Sequence, residues 1–191
     1  MESQAKFIVF ASNLMQLFEM CPKCHSRTCG KICYINGSMV KIEQNCQICH
    51  HISYWFSQPF VGGKPAGNLL QSAGILLSGS IPTKVLRMYK QMNIPSISMS
   101  TYINHQRYYL YPSIAHVWRN YQQDYIDDTV ASGRSVSLAG DGRCDSPGHC
   151  AKYGSFNVLD LEENAVVDIQ LVQVKLRKHA HVYENFNYIG H

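Results

Sequence analysis

Apolar residues change their spacing twice along this chain. From Gly30 to Asn45 they alternate. "GKICYING" and "SMVKIEQN" read as two short strands around Asn36-Gly37, a strong hairpin signal. "HISYWFSQ" adds a third strand. "SQPFVGGKPAGN" (57–68) is rich in Gly and Pro and marks a boundary. Beyond it the period is helical. "NLLQSAGILLSG" predicts a helix from an Asn68 N-cap to about Gly79, and "IPTKVLRMYKQM" has Pro82 in its first turn, with Val85, Leu86, Met88, Tyr89 and Met92 at helical spacing. "NIPSIS" is a turn and "MSTYINHQRYYL" a short helix. Pro112 opens a longer helix with the stripe Ile114, Val117, Trp118, Tyr121, Tyr125 and Ile126. Strand-like runs then return at 134–140, 154–161 and 165–174, the last two joined by a turn at Glu162-Glu163-Asn164.

The hairpin lies between two thiol pairs, and this changes its meaning. Cys21-Pro-Lys-Cys24 and Cys46-Gln-Ile-Cys49 are CxxC knuckles separated by 21 residues. Two residues between thiolates let both sulfurs face one ion, and four thiolates make a closed tetrahedral site suited to structural Zn²⁺. The separation exceeds the commonest ribbon range of about 15–20 residues, and the hairpin accounts for the excess. A thioredoxin-like site would use one CPxC and leave the second pair unexplained. Cys29 and Cys33 are read as free thiols, the alternatives being that they replace one knuckle or form part of a second site with His25, His50 or His51. A zinc deaminase needs an H-x-E motif, which this sequence lacks.

The chain of 191 residues is long enough for one ordinary domain or a few small ones with a real core. Charged residues make up 16%, and the net charge of +4 permits a polyanionic partner without demanding one. No apolar run reaches the roughly 18 residues of a membrane span. The N-terminus shows no signal-peptide pattern. An intracellular, reducing location follows, and there paired CxxC motifs favour metal over disulfides. The region around Asn93-Ile94-Pro95 carries Lys84, Arg87, Lys90, His105 and Arg107. These residues suit a DNA-reading helix–turn–helix, and equally a helical scaffold with solvated cations.

Strand 134–140 delivers Asp141 at its end, held between Gly140 and Gly142. Such an aspartate is either a turn or bulge residue, or a carboxylate set out to hold a metal. Two-metal phosphoryl transfer uses a carboxylate of this kind, but it needs further acids from other elements. Asp145 lies in a Pro-Gly loop, Asp160 and the two glutamates are read as solvated at a turn, and Asp168 lies within a strand.

The segment "GDGRCDSPGHCAKYGSFNVLD" followed by "VVDIQLVQV" resembles the start of the catalytic domain of eukaryotic DDE transposases of the Kolobok and Mutator-like kind. Upstream, the CxxC pairs, "YWFSQP", "LLQSAGILLSGSIPTKVLRMY" and "STYINHQRYYLYPSIAHVW" resemble the zinc-binding and helical regions that precede that domain. The likeness covers most of residues 7–174; "KLRKHAHVYENFNYIGH" departs from it. It implies an RNase H-like fold, Asp141 as the first metal-binding carboxylate, duplex DNA as partner, and a nuclear location. A related full-length transposase or a second copy of the chain would be a further partner.

The expected architecture is therefore α+β: a small zinc ribbon, a helical middle region, and the first three strands of an incomplete RNase H-like domain. The expected segments are an N-terminal stretch (1–20), the ribbon (21–58), a linker (59–66), the helical region with its helix–turn–helix (67–131), the partial RNase H-like domain (132–174) and a divergent tail (175–191). The site residues are Cys21, Cys24, Cys46 and Cys49 for zinc, Lys84, Arg87, Lys90 and Arg107 for DNA, and a vestigial Asp141. Mg²⁺ would enter only if the catalytic set were complete, and the expected later acids are missing from this chain. The expected function is that of a transposase-derived DNA-binding protein or transposase fragment. The alternative is a ribbon adaptor that binds protein and no DNA.

Overall fold

A computed structural model of the chain describes residues 4–145 and 153–173. The protein is mixed α+β with small antiparallel sheets, and it divides into two units, Met1–Ser113 and Ile114–His191.

In the first unit the predicted hairpin forms. Strands β1 (Gly30–Asn36) and β2 (Met39–Asn45) pair antiparallel, and β3 (Ile52–Phe56) adds to the far side of β2. The turn is Gly37-Ser38, one residue later than expected, because Asn36 still pairs with Met39. Gly37 takes φ +58°, the left-handed conformation that favours glycine at the first position of a two-residue hairpin turn. Strand alternation sends Ile32, Ile42 and Trp55 to one face. There Phe18, which follows the short helix α1 (Ala11–Gln16), meets Trp55 edge-on at 5.5 Å. Gln44 is buried on the same face and donates from Nε2 to the Phe18 and Met20 carbonyls, both at 2.9 Å.

The stretch expected as a linker has structure of its own. Phe60–Val61 (β4) pairs with Lys64–Pro65 (β5) around Gly62-Gly63. Helix α2 (Ala66–Leu77) starts directly after it, so Asn68 is not its N-cap. The amide of Asn68 instead clasps the ribbon turn. Its Oδ1 accepts from the Ser38 N–H and hydroxyl, each at 2.9 Å, and its Nδ2 donates to the Asn36 carbonyl at 2.8 Å. Gln58 satisfies the helix start, its Oε1 accepting from the Gly67 N–H at 2.9 Å while its Nε2 donates to Ser38 Oγ at 2.8 Å. Ribbon and helix are thus joined by partly buried hydrogen bonds around the buried Asn68 amide, which would be costly to leave unpaired.

Helices α3 (Pro82–Gln91) and α4 (Met99–His105) follow, and Ile75, Ile97 and Tyr102 make their shared core with Val85, Leu86 and Met99 around it. Ser98 caps α4, its side chain accepting from the Thr101 N–H at 3.1 Å. Pro112 does not open a separate helix. The chain runs from α4 through a widened turn at Gln106–Leu110 straight into α5 (Tyr111–Ser132). Proline has no N–H and its ring crowds the preceding turn, so a local widening is the way a helix carries it through.

In the second unit β6 (Leu138–Cys144), β7 (Tyr153–Asp160) and β8 (Ala165–Gln173) form an antiparallel sheet in that order. The first strand begins later than expected and runs on through Asp141, which lies mid-strand opposite Asn157. Gly140 is explained by a ring: a Cβ there would drive into Phe156, whereas a Cβ at Gly142, paired with Phe156, would meet it only at ordinary contact distance.

Asp160, expected to be solvated, is 0% exposed. Arg134 Nη2 lies 2.7 Å from its Oδ2, the Tyr125 hydroxyl of α5 donates to the same oxygen at 2.7 Å, and the Glu162 N–H donates to Oδ1 at 3.0 Å. Gln122 of α5 donates to the Val167 carbonyl at 3.1 Å and to Asp168 at 3.2 Å, where a bulge leaves β8 out of step with β7. These ties fasten the helix to one face of the sheet.

The Tyr125 hydroxyl bond, with Arg134 and the Glu162 N–H beside it, holds the Asp160 carboxyl at about 2, below its ordinary value of 3.8. Because the folded value is the lower one, the fold favours the ionised form. This contribution is whole above about pH 4 and is lost as pH falls toward 2. Asp160→Asn should therefore lower the melting temperature at pH 7, by about 5–10 °C, and flatten the acid-induced loss of stability between pH 4 and 2. Melts followed by circular dichroism across pH check this; an unchanged melting temperature at pH 7 would count against it.

Candidate metal centre

The two CxxC knuckles are built alike. In the first, the Cys21 N–H bonds to the Ser26 carbonyl at 2.9 Å; in the second, the Cys46 N–H bonds to the His51 carbonyl at 3.0 Å. The residue after each second cysteine turns left-handed, His25 at φ +58° and His50 at φ +54°. That conformation costs a residue bearing a Cβ roughly 1–2 kcal/mol. It is held twice, at equivalent positions, which points to a constraint on the sulfurs ahead of it. The Lys23 N–H is turned toward Cys21 Sγ at 3.4 Å.

The sulfurs of Cys21, Cys24, Cys46 and Cys49 all lie within 4.8 Å of one another. Across the knuckles, Cys21 and Cys49 are 3.6 Å apart and Cys24 and Cys46 are 3.5 Å apart. A tetrahedral ion with metal–sulfur bonds of about 2.3 Å needs sulfurs about 3.8 Å apart. The cluster therefore has the size and the donor chemistry to hold one metal ion. Cys21 and Cys46 are buried, so the first sulfur of each pair comes from the base of the ribbon.

Hydrogen bonds and mutual repulsion spread the four thiols over a wide range. The Ser26 hydroxyl and N–H beside Cys24 bring it down to about 6. The Cys24 N–H, working against burial, lowers Cys21. The His51 N–H favours the Cys49 thiolate, but burial and the three neighbouring sulfurs outweigh it and push that thiol up to about 12. The last thiol ionises readily only if a cation offsets the charge of the others.

Cys29 and Cys33 lie outside this cluster and are exposed; Cys33 donates weakly to the Lys41 carbonyl at 3.4 Å. His25, His50 and His51 supply no ligand atom to it.

Lys84, Arg87 and Lys90 recur every third residue on α3 and are exposed, making one basic stripe. Arg107 is exposed on the widened turn, its guanidinium 5.4 Å from the Tyr108 ring. Arg87 and Lys90 border a shallow concavity with Asn93, Ser96 and Ser98. His105 does not join the stripe. It is 5% exposed and its Nδ1 is 2.9 Å from the Ser72 hydroxyl. Burial, reinforced by Lys64 and opposed by the Asn68 carbonyl, lowers its pKa. Helices α3 and α4 are joined by residues 92–98, a longer link than the three or four residues of a DNA-reading helix–turn–helix, and the cations lie on the first helix.

Asp141 is exposed, and alternation places it on the opposite face of the sheet from Asp160 and Asp168. Among the described residues no metal-sized group of His, Cys, Asp or Glu side chains includes it. The rest of the expected Pro-Gly loop and the tail 175–191 lie outside the described residues. No helix among the described residues is long and apolar enough to cross a membrane. No family model, curated protein or solved structure matches this chain.

The Asp160–Arg134–Tyr125 group was missed by sequence reasoning. Its only local signal is Asp160 two residues before the Glu162 N–H it accepts from, an Asx-turn pattern.

Cys21→Ser and Cys49→Ser should each abolish stoichiometric metal binding and unfold the ribbon, whereas Cys29→Ser and Cys33→Ser should leave one ion per chain. Metal analysis of purified protein, paired with circular dichroism before and after chelator, checks both halves. Full metal content in Cys21→Ser would overturn the assignment.

Proposed function

We propose that this chain is a zinc-binding protein that binds duplex DNA, related to DDE transposases of the Kolobok and Mutator-like kind, and that it acts by binding rather than by cutting. The observation that carries this reading is the four-sulfur cluster, on two like knuckles, in the same unit as an exposed basic stripe. Four soft thiolates in a closed tetrahedral set favour Zn²⁺, which is inert to redox change and needs no open position in a structural site. Zinc binding then supplies folding energy to a ribbon too small to bury a large core.

Lys84, Arg87, Lys90 and Arg107 are free of the described ion pairs and stand on the surface, where phosphates would reach them. The concavity beside Arg87 and Lys90 has both polar groups (Asn93, Ser96, Ser98) and apolar ones (Leu86, Ile94, Met99), so the reading rests on the cations themselves. The order of segments, ribbon then helices then a three-stranded antiparallel sheet, is in keeping with the resemblance to transposases and with an RNase H-like start. A nuclear location, and pairing with a related full-length transposase or a second copy, belong to the same reading.

Changing Lys84, Arg87, Lys90 and Arg107 together to Ala should weaken duplex binding at least tenfold and flatten its salt dependence, by about 0.9 in log–log slope for each phosphate no longer neutralised. Fluorescence anisotropy with a labelled duplex over a salt series is the measurement. Absence of binding at low salt, or binding indifferent to the four changes, would favour the protein adaptor instead.

Catalysis is not expected from Asp141. Its cross-strand row offers Asn157 and Ile169 where a metal pair would need carboxylates. A Mg²⁺ ion held by one exposed carboxylate keeps most of its water and stays weakly bound. Neither Mg²⁺ nor Mn²⁺ should support cutting or joining of plasmid or terminal-repeat DNA, and Asp141→Ala should change duplex affinity less than twofold. Metal-dependent cutting that disappears in Asp141→Ala would contradict this.

A further inference from the structure

The ribbon has a second face, unused by its core. Strand pairing lays two rows across it: Tyr34, Lys41 and Phe56 in one, Lys31, Glu43 and Tyr54 in the other. A bulge between Ile32 and Tyr34 brings the Tyr34 ring into the first row. Tyr34 is 54% exposed, Tyr54 54% and Phe56 42%. The Lys41 ammonium lies 4.1 Å from the centre of the Tyr54 ring and 5.6 Å from that of Phe56, and Phe60 braces Phe56 edge-on at 5.5 Å.

We propose that this face binds single-stranded nucleic acid, stacking bases on Tyr34, Tyr54 and Phe56 while Lys31 and Lys41 hold the phosphates. Three features favour that occupant. The aromatic rings stand on the two outer strands with the cation between them, so bases and backbone each find a partner. Ile32, Ile35, Val40 and Ile42 pair on the other face, while Ile52, opposite Asn45, stands beside Tyr54 on this one, so aromatic rings and lysines outnumber aliphatic groups here. Two lysines against one glutamate make the patch cationic, in a chain of net charge +4. Single-strand binders combine these elements, and stacking tolerates any base because every base has a π-face. The surface is separate from the α3 stripe, so the proposal does not rest on duplex binding.

The test uses the full chain loaded with zinc and fluorescein-labelled dT12 and rU12. Tyr34→Ala, Tyr54→Ala and Phe56→Ala should each weaken binding roughly 5- to 150-fold. Tyr54→Phe and Phe56→Tyr, which keep a ring, should bind as the parent does. Zinc content and melting temperature show whether each Ala variant is folded; if one is not, the ring-keeping pair and Lys41→Glu, expected to weaken binding at least tenfold, decide the matter. The Lys84/Arg87/Lys90/Arg107 variant should lose duplex and keep single strand, so the two surfaces can fail independently. No binding of either oligonucleotide at low salt would overturn the proposal. So would binding that survives the triple Ala change, which would mark plain charge attraction. Retention of a protein partner by the parent, lost in the Ala variants while oligonucleotide binding is absent, would reassign the face to protein.

Discussion

Four cysteine sulfurs within 4.8 Å of one another repel as they ionise, and the ribbon is arranged around that repulsion. Hydrogen bonds ease it at Cys24 and Cys21, while Cys49 is left with a thiol pushed up to about 12. A bound cation would remove the conflict and fix the geometry of both knuckles together. Much else in the first unit hangs from them. The knuckles set the ends of the hairpin, the hairpin presents Ile42 to Phe18 and Trp55, and its turn is clasped by Asn68 of α2. A disturbance at the knuckles would therefore be felt beyond the ribbon, because the turn that Asn68 holds is itself placed by them.

The second unit relies on polar ties to a comparable degree. Asp160 is fully buried, a position an aspartate tolerates only with partners, and Arg134, Tyr125 and a backbone N–H supply them. Gln122 adds a bond where the bulge frees the Val167 carbonyl. This face of the sheet is therefore tuned for fastening to α5. The opposite face carries Asp141, which the sheet itself separates from Asp160 and Asp168.

Two candidate nucleic-acid surfaces in the first unit differ in chemistry. The stripe on α3 is cations bordering a concavity of mixed polar and apolar lining, and its proposed occupant is a duplex backbone. The outer ribbon face has cations set among rings, suited to bases that are unpaired.

The two thiol pairs, the Asn-Gly hairpin between them and the helical period after residue 66 were legible in the sequence. Each is written in a short window, where spacing alone fixes which side chains share a face. The α+β class followed from that, and so did the four cysteines that cluster. Asn68 looked like a cap and is a clasp, because its partners lie about 30 residues earlier. Pro112 looked like a helix start and is carried inside one, because the turn before it widened. His105 looked like part of a basic surface and is buried, since Ser72 lies 33 residues away in sequence. Gly140 looked like part of a frame for Asp141 and instead makes room for Phe156 across the sheet. Asp160 looked solvated because Arg134 and Tyr125 are 26 and 35 residues away. Local spacing determines local geometry and nothing more. The partner of a buried polar group is chosen by the packing of distant segments, and only the tertiary structure decided it.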